Sequence, residues 1–364
     1  MKFLFHSLFS LIYLFYPVLH HNQNLCHFKL NFINLYMNNL KDDIIPISMS
    51  LDDGYIYPTL VAITSIMENS NLMKKYLFYI LHSPDFKNEN QIKLKYLEKK
   101  YNGCIIFLIN MSNNFQFINA TVSKEITLPS YYRLALPDLL PNVKKIIYLD
   151  GDTLSLTDLQ ELYDIDMNDY YYKGFLDISS DGVDEFTLEN DHVICAGVLL
   201  INLEELRKDN MINKMYEFMI KNNKKLIQHD QTIINAVCYK KIGILPSKFG
   251  IFNLKSVESL IHFSQNYRYK YKYSEIELID AYLHPSVLHL VEKPWIKFKN
   301  CYKANLWFKY ANKSGFYDEI IKKYTIHKNK WLKKMKFVLI IIFIFNTLFF
   351  LIKKRKLIFH KKDD

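Results

Sequence analysis

Residues 144–153, Lys-Lys-Ile-Ile-Tyr-Leu-Asp-Gly-Asp-Thr, constrain this chain more than any other stretch: an apolar run of strand length stops in two carboxylates, Asp150 and Asp152, separated by Gly151. A run without polar alternation is the mark of a strand buried on both faces, and ligands of open α/β sheets gather at the carboxyl ends of such strands. Two carboxylates there suit a hard divalent cation such as Mg²⁺ or Mn²⁺, which takes one or two protein oxygens and leaves the rest of its shell to substrate phosphates. Gly151 would let the backbone approach a ligand closely. The same three residues are also ordinary turn chemistry after a strand, so the motif alone leaves both readings open. It does not leave a calcium loop open. Glu161 stands at position twelve counted from Asp150, but position five is Leu154, and position six, where glycine is needed, is Ser155.

The surrounding pattern predicts a large α/β domain. Strand-like runs at 44–50, 76–81, 104–109, 145–149, 172–176 and 198–202 alternate with helical stretches at 58–69, 88–100 and 203–221, the order expected of a doubly wound sheet flanked by helices. With 364 residues and 50% hydrophobic content the chain can bury one core of that size. No internal repeat is present. The net charge of +10 is concentrated in lysines from Lys293 onward that flank an apolar segment, which points to a membrane surface and away from nucleic acid.

Further motifs stand in order along the chain: Leu51-Asp52-Asp53-Gly54-Tyr55, Ser130-Tyr131-Tyr132-Arg133, the Asp150-Gly151-Asp152 strand end, Ala196-Gly197-Val198-Leu199-Leu200-Ile201-Asn202, His229-Asp230-Gln231, and His289 followed by Lys293-Pro294-Trp295. In this order and near this spacing they resemble glycosyltransferase family 8, the retaining nucleotide-sugar transferases that include lipopolysaccharide galactosyl- and glucosyltransferases and glycogenins. The resemblance covers roughly residues 46–300 and implies the GT-A nucleotide-diphospho-sugar transferase fold, with a mixed, largely parallel sheet flanked by helices. It also implies roles. Asp150, Asp152 and His289 would hold the Mn²⁺ or Mg²⁺ that bridges the diphosphate of a UDP-sugar. Asp52 would hydrogen-bond the uracil and Tyr55 would stack on it. Asp177, Ala196 and Gly197 would line the donor pocket. Arg133 would contact the donor sugar or its phosphate, Lys293 would neutralise the departing diphosphate, and Asp230 and Gln231 would face the donor sugar, with Gln231 beside the anomeric carbon.

Each of these residues also has a plainer use. Arg133 could serve a structural salt bridge, His289 a hydrogen-bonded core position within the apolar run 287–291, and Tyr55 ordinary packing in a chain with 27 tyrosines. Asp230 opens a helical stretch and could act only as a cap or dipole partner. The sequence also departs from the family pattern. Gly54 and Cys195 stand where asparagine is common, and the segment from His289 to Lys293 is about two residues shorter than usual. The implied activity is a metal-dependent retaining transfer of a hexose or pentose to a glycan, glycoprotein or glycolipid, by same-face attack or by double displacement through Asp230 or Asp177. The alternative is a degenerate member that binds nucleotide or glycan without turnover.

Both ends read as membrane elements. Residues 3–19 are apolar behind Lys2, so 1–22 are expected to be a signal peptide or signal anchor, with a linker over 23–43. Residues 337–352 form a sixteen-residue apolar run between Lys336 and Lys353, expected to be a transmembrane helix, short of the usual ~20 residues but helped by snorkelling lysines. Between the catalytic domain (44–301) and that helix, 302–336 are expected to form an amphipathic helical stem or a membrane-surface helix. The basic tail 353–364 ends in Lys361-Lys362-Asp363-Asp364, which resembles a dilysine retrieval signal. A working N-terminal signal places the domain in the lumen of the endoplasmic reticulum or Golgi; without one, the protein is tail-anchored and faces the cytosol. Five cysteines make no disulfide scaffold or zinc site. Sequons occur at Asn110, Asn119 and Asn312.

Overall fold

The strand that ends in Asp150 lies at the centre of a sheet. The computed structural model describes residues 44–325 apart from 113–115, 118, 121, 123–126, 178–184, 255, 265–271 and 298–300. Seven strands, β1 (Ile44–Leu51), β2 (Lys75–His82), β3 (Cys104–Asn110), β4 (Lys145–Leu149), β6 (Tyr172–Leu176), β7 (Ile194–Asn202) and β8 (Ile242–Ile244), form a sheet in the order β3-β2-β1-β4-β7-β6-β8. β1 runs parallel to β2 and β4, β2 to β3, and β6 to β8, while β7 is antiparallel to both its neighbours. The expected mixed, largely parallel sheet is thus present.

β4 shows why its sequence is apolar throughout. Ile146 and Tyr148 face one layer, with the helices Leu203–Lys208, Met211–Asn222 and Asp230–Val237, and Ile147 and Leu149 face the other, with the helix Ile56–Glu68. None of the four has exposed surface. At roughly 1.5–3 kcal/mol for each buried large side chain, the carboxylates that follow start from a firmly anchored base.

A second, small sheet completes the site. It comprises β5 (Thr153–Ser155), β10 (Val287–His289) and β9 (Phe249–Phe252), with β10 in the middle. β10 pairs antiparallel with β5 so that His289 lies opposite Thr153, and parallel with β9 so that His289 lies opposite Phe252. This register carries a histidine 139 positions downstream to the side of Asp150-Gly151-Asp152. Strands of three or four residues are too short to show periodicity, which is why β5, β8 and β9 were not legible in the sequence. The helix expected over 203–221 is two helices, broken where Asn210 adopts a left-handed conformation (φ 51°) that asparagine tolerates better than most residues.

The described part of the expected stem belongs to the domain's surface layer. The helix Ala304–Ser314 packs on Ile56–Glu68 and buries Trp307, Tyr310 and Ala311. Gly315, at φ 89°, ends it, and a second helix follows over 317–325. The apolar face expected on this segment is therefore taken up by the domain itself, at least through Ile320. Both expected membrane segments, 3–19 and 337–352, lie outside the described residues, and among the described residues no helix is long and apolar enough to cross a membrane.

Candidate active site

All twelve residues singled out from the sequence line one cleft of about 730 Å³ at the carboxyl end of β4. At its floor, ligand atoms of Asp150, Asp152 and His289 lie within 4.8 Å of one another. Asp152 Oδ1 is 3.2 Å from His289 Nε2, an ion pair when the imidazole is protonated, though no well-aligned hydrogen bond reaches this buried oxygen among the described residues. Two carboxylates and a ring nitrogen that converge in this way could hold a cation between them. The charge count agrees. Five carboxylates (Asp52, Asp150, Asp152, Asp177 and Asp230) face the cleft with two permanent cations, Arg133 and Lys293, a net of −3 before His289 is counted. Such a site repels a diphosphate unless a cation intervenes.

Glycine at two positions is required by this geometry. A Cβ on Gly197 would run into the His289 ring and stand 2.9 Å from Asp150 Oδ2. A Cβ on Gly151 would stand 2.5 Å from Thr59 Oγ1 and 3.2 Å from Tyr55 Cδ1. Gly151 therefore admits the N-terminal turn of the helix Ile56–Glu68, where a close approach to ligand was expected.

Arg133 is buried and engaged on every side. Its guanidinium pairs with Asp150 Oδ1 and Asp230 Oδ2 at 3.0 Å each, donates from Nε to the Ser130 carbonyl at 2.8 Å and from Nη1 to the Ala196 carbonyl, and stacks on Tyr148 with 4.2 Å to the ring centre. Burial opposes its charge, but Asp150 and Asp230 hold its pKa above the usual value. The salt-bridge use is thus realised, and it joins a metal-site carboxylate to the carboxylate beside Gln231. Asp230 occupies the first turn of its helix; burial pushes its carboxyl up to about 6, Arg133 pulls it down, and Asp150 adds to the rise. Gln231 accepts from the Ala196 amide at 2.9 Å and donates to Asp177 Oδ2 at 2.6 Å. The residue before this pair, His229, takes φ 53° and ψ −118°, a conformation costly for a side-chain-bearing residue and often found at functional sites.

Lys293 sets its ammonium on Asp152 Oδ2. Burial would raise the Asp152 pKa, but Lys293 and His289 hold it well below the ordinary carboxylate range. Tyr55 donates to the same oxygen, Asp152 Oδ2, at 3.1 Å and meets Trp295 edge-on at 6.2 Å. Asp52 accepts from the Gly54 amide at 2.8 Å and from the Tyr55 amide at 3.2 Å, shaping the loop that carries Tyr55. Two contributors, Tyr148 and Asn235, escaped sequence reasoning, and a third, Cys195, figures there only as a departure from the family pattern. Tyr148 donates to Asp150 Oδ1 at 3.0 Å; its place two residues before Asp150 on one strand face was the available signal. Asn235 clasps the Ile194 amide and carbonyl, each at 2.9 Å. Cys195 places Sγ 3.6 Å from His289 Nδ1, on the far side of the ring from Asp152.

The comparisons agree with this architecture. A Haemophilus influenzae protein whose name marks it as a candidate glycosyltransferase is 34% identical over 204 residues, 54% of this chain, and the chain spans 61% of that protein's length. An Arabidopsis thaliana protein, named as a candidate galacturonosyltransferase-like 4, is 26% identical over 301 residues, covering 74% of this chain and 79% of that protein. Among solved structures, the galactosyltransferase LgtC in complex with donor and acceptor sugar analogues superposes with a TM-score of 0.62 over 74% of this chain and 96% of that one, at 20% identity, which identifies the GT-A fold. The family described as Glycosyl transferase family 8 matches residues 46–298, and the chain belongs to that family.

Proposed function

We propose that the protein is a retaining transferase that moves a hexosyl or pentosyl unit from a UDP-sugar to a hydroxyl of a glycan, glycoprotein or glycolipid, with Mn²⁺ or Mg²⁺ at Asp150, Asp152 and His289. The observation that carries this reading is the convergence of ligand atoms of Asp150, Asp152 and His289 within 4.8 Å of one another in an acidic cleft. A divalent cation bound there supplies charge neutralisation for the diphosphate leaving group. The imidazole ligand tilts the choice toward Mn²⁺.

The chain's own residues account for the remaining steps. Asp52 and Tyr55 receive the base at one end of the cleft. Lys293, whose ammonium lies on Asp152 Oδ2 at the edge of the cleft, would neutralise the departing diphosphate, where preorganised charge counts most as the bond breaks. The bond between the anomeric carbon and the phosphate oxygen breaks with its electron pair going to UDP. The acceptor oxygen bonds the same carbon on the same face and gives its proton to the leaving phosphate oxygen. Both carboxylates that a double displacement would need are already held, Asp230 by Arg133 and Asp177 by Gln231, which favours same-face attack.

The test is release of UDP from UDP-glucose, UDP-galactose, UDP-xylose and UDP-galacturonate, with and without Mn²⁺, alongside Asp152→Ala. Turnover of one donor that needs metal and falls at least a hundredfold in the variant is expected. Nucleotide binding without turnover across trial acceptors would select the degenerate reading, and an inverted product anomer would reject retention. The proposal includes a membrane-anchored domain on the luminal side, resting on the sequence of both ends; the three sequon asparagines are all exposed. Protease digestion of the domain in intact microsomes would reject that topology.

A further inference from the structure

The helix over 317–325 lies beyond the matched family region, residues 46–298, yet it grips the loop that carries Asp52 and Tyr55. Lys323 Nζ donates to the Gly54 carbonyl at 3.2 Å and lies over the Tyr57 ring at 5.0 Å. Asp52 and Asp53 attract the same ammonium. One turn earlier, Glu319 accepts from the Tyr57 hydroxyl at 2.9 Å and pairs with Lys93 at 3.6 Å. Tyr324 packs beside Trp295 with 6.3 Å between ring centres, and Trp295 in turn meets Tyr55. The loop is thus held from its carbonyl side, from its following tyrosine and through the aromatic row behind Tyr55. The row ends at Asp152, because the Tyr55 hydroxyl bonds its carboxylate.

We infer that the 317–325 helix is a latch for the nucleotide end of the donor site, in which Lys323 and Glu319 act as positioning residues that hold the 52–55 loop in its binding conformation. The inference rests on the donor reading above for its consequence but not for its mechanics. A preorganised loop need not be ordered when the donor arrives, and ordering costs are subtracted directly from affinity. Loosening the latch therefore weakens donor binding and leaves the bond-breaking step nearly untouched.

Two readouts separate the latch from the donor reading. In the full-length protein, Glu319→Ala combined with Lys323→Ala is expected to speed amide exchange of the 51–57 peptide about tenfold, whether or not nucleotide is present, with thermal unfolding within a few degrees of wild type. UDP affinity and the donor KM should then worsen about three- to tenfold while kcat stays within twofold, and Lys323→Arg, which keeps a donor for the Gly54 carbonyl, should behave as wild type. Unchanged exchange in the double variant overturns the latch. Faster exchange with unchanged UDP affinity, or with a loss confined to kcat, overturns its role in donor binding. If the wild-type protein binds no UDP, the donor reading and the latch's role in it both fall, while the exchange data still decide the mechanics.

Discussion

Gly197 and Asp230 show how far single residues determine this site. The metal triangle requires that position 197 carry no side chain, because a Cβ there meets both His289 and Asp150. Gly197→Ala is accordingly expected to weaken Mn²⁺ binding at least tenfold, read by magnetic resonance of the free ion, while circular dichroism stays native. Asp230 gives a pH signature. Its carboxyl is raised to about 6 from 3.8, so between these values the native state holds a proton that the unfolded chain has released. Its contribution to stability is then fully present below the unfolded pKa and is lost as pH rises through the folded one. About two units at 1.36 kcal/mol each mean that wild type loses on the order of 3 kcal/mol relative to Asp230→Asn between pH 4 and 7, measurable by denaturant unfolding of both proteins across that range. A constant difference between the two would contradict the raised pKa. The residue types at this scale were legible: both strand-end carboxylates, the downstream histidine and the Asp-Gln pair all reach one cleft. Their mutual bonding was not, since nothing in a linear sequence shows that Arg133 would be enclosed by Asp150, Asp230 and two carbonyls.

At the scale of elements, long strands announced themselves and short ones did not. β4 carries five residues, four of them buried on alternating faces, and reads plainly; β5 and β9 carry three and four and are defined only by the partners they find. His289 depends on them, because its position follows from the register of β10 against β5 and β9. The helix Asp230–Val237 depends instead on one polar side chain. Asn235 bonds the Ile194 amide and carbonyl and the Gln231 carbonyl, each at 2.9 Å, in a buried setting, and so fixes Gln231 against β7. Removing it strands buried backbone groups at about 1–3 kcal/mol apiece. Asn235→Ala is expected to lower stability by on the order of 3 kcal/mol and to lower kcat more than it raises donor KM. Loss of stability with unchanged kcat would separate the helix anchor from the chemistry.

At the scale of the molecule, the mixed sheet supplies the rigid floor, the small β5-β10-β9 sheet delivers the histidine, and the 317–325 helix holds the loop that carries Asp52 and Tyr55. The net charge of +10 has little to do with the site, whose own charge is negative. That contrast makes the metal the centre of the account. The most direct measurement is titration of Mn²⁺ into wild-type protein and into Asp152→Ala, with and without UDP, followed by electron paramagnetic resonance. One bound ion per wild-type chain, tightened by UDP and lost in the variant, is the predicted result; equal binding by both proteins, or UDP release from a donor sugar that proceeds at full rate after the metal is chelated, would contradict the account.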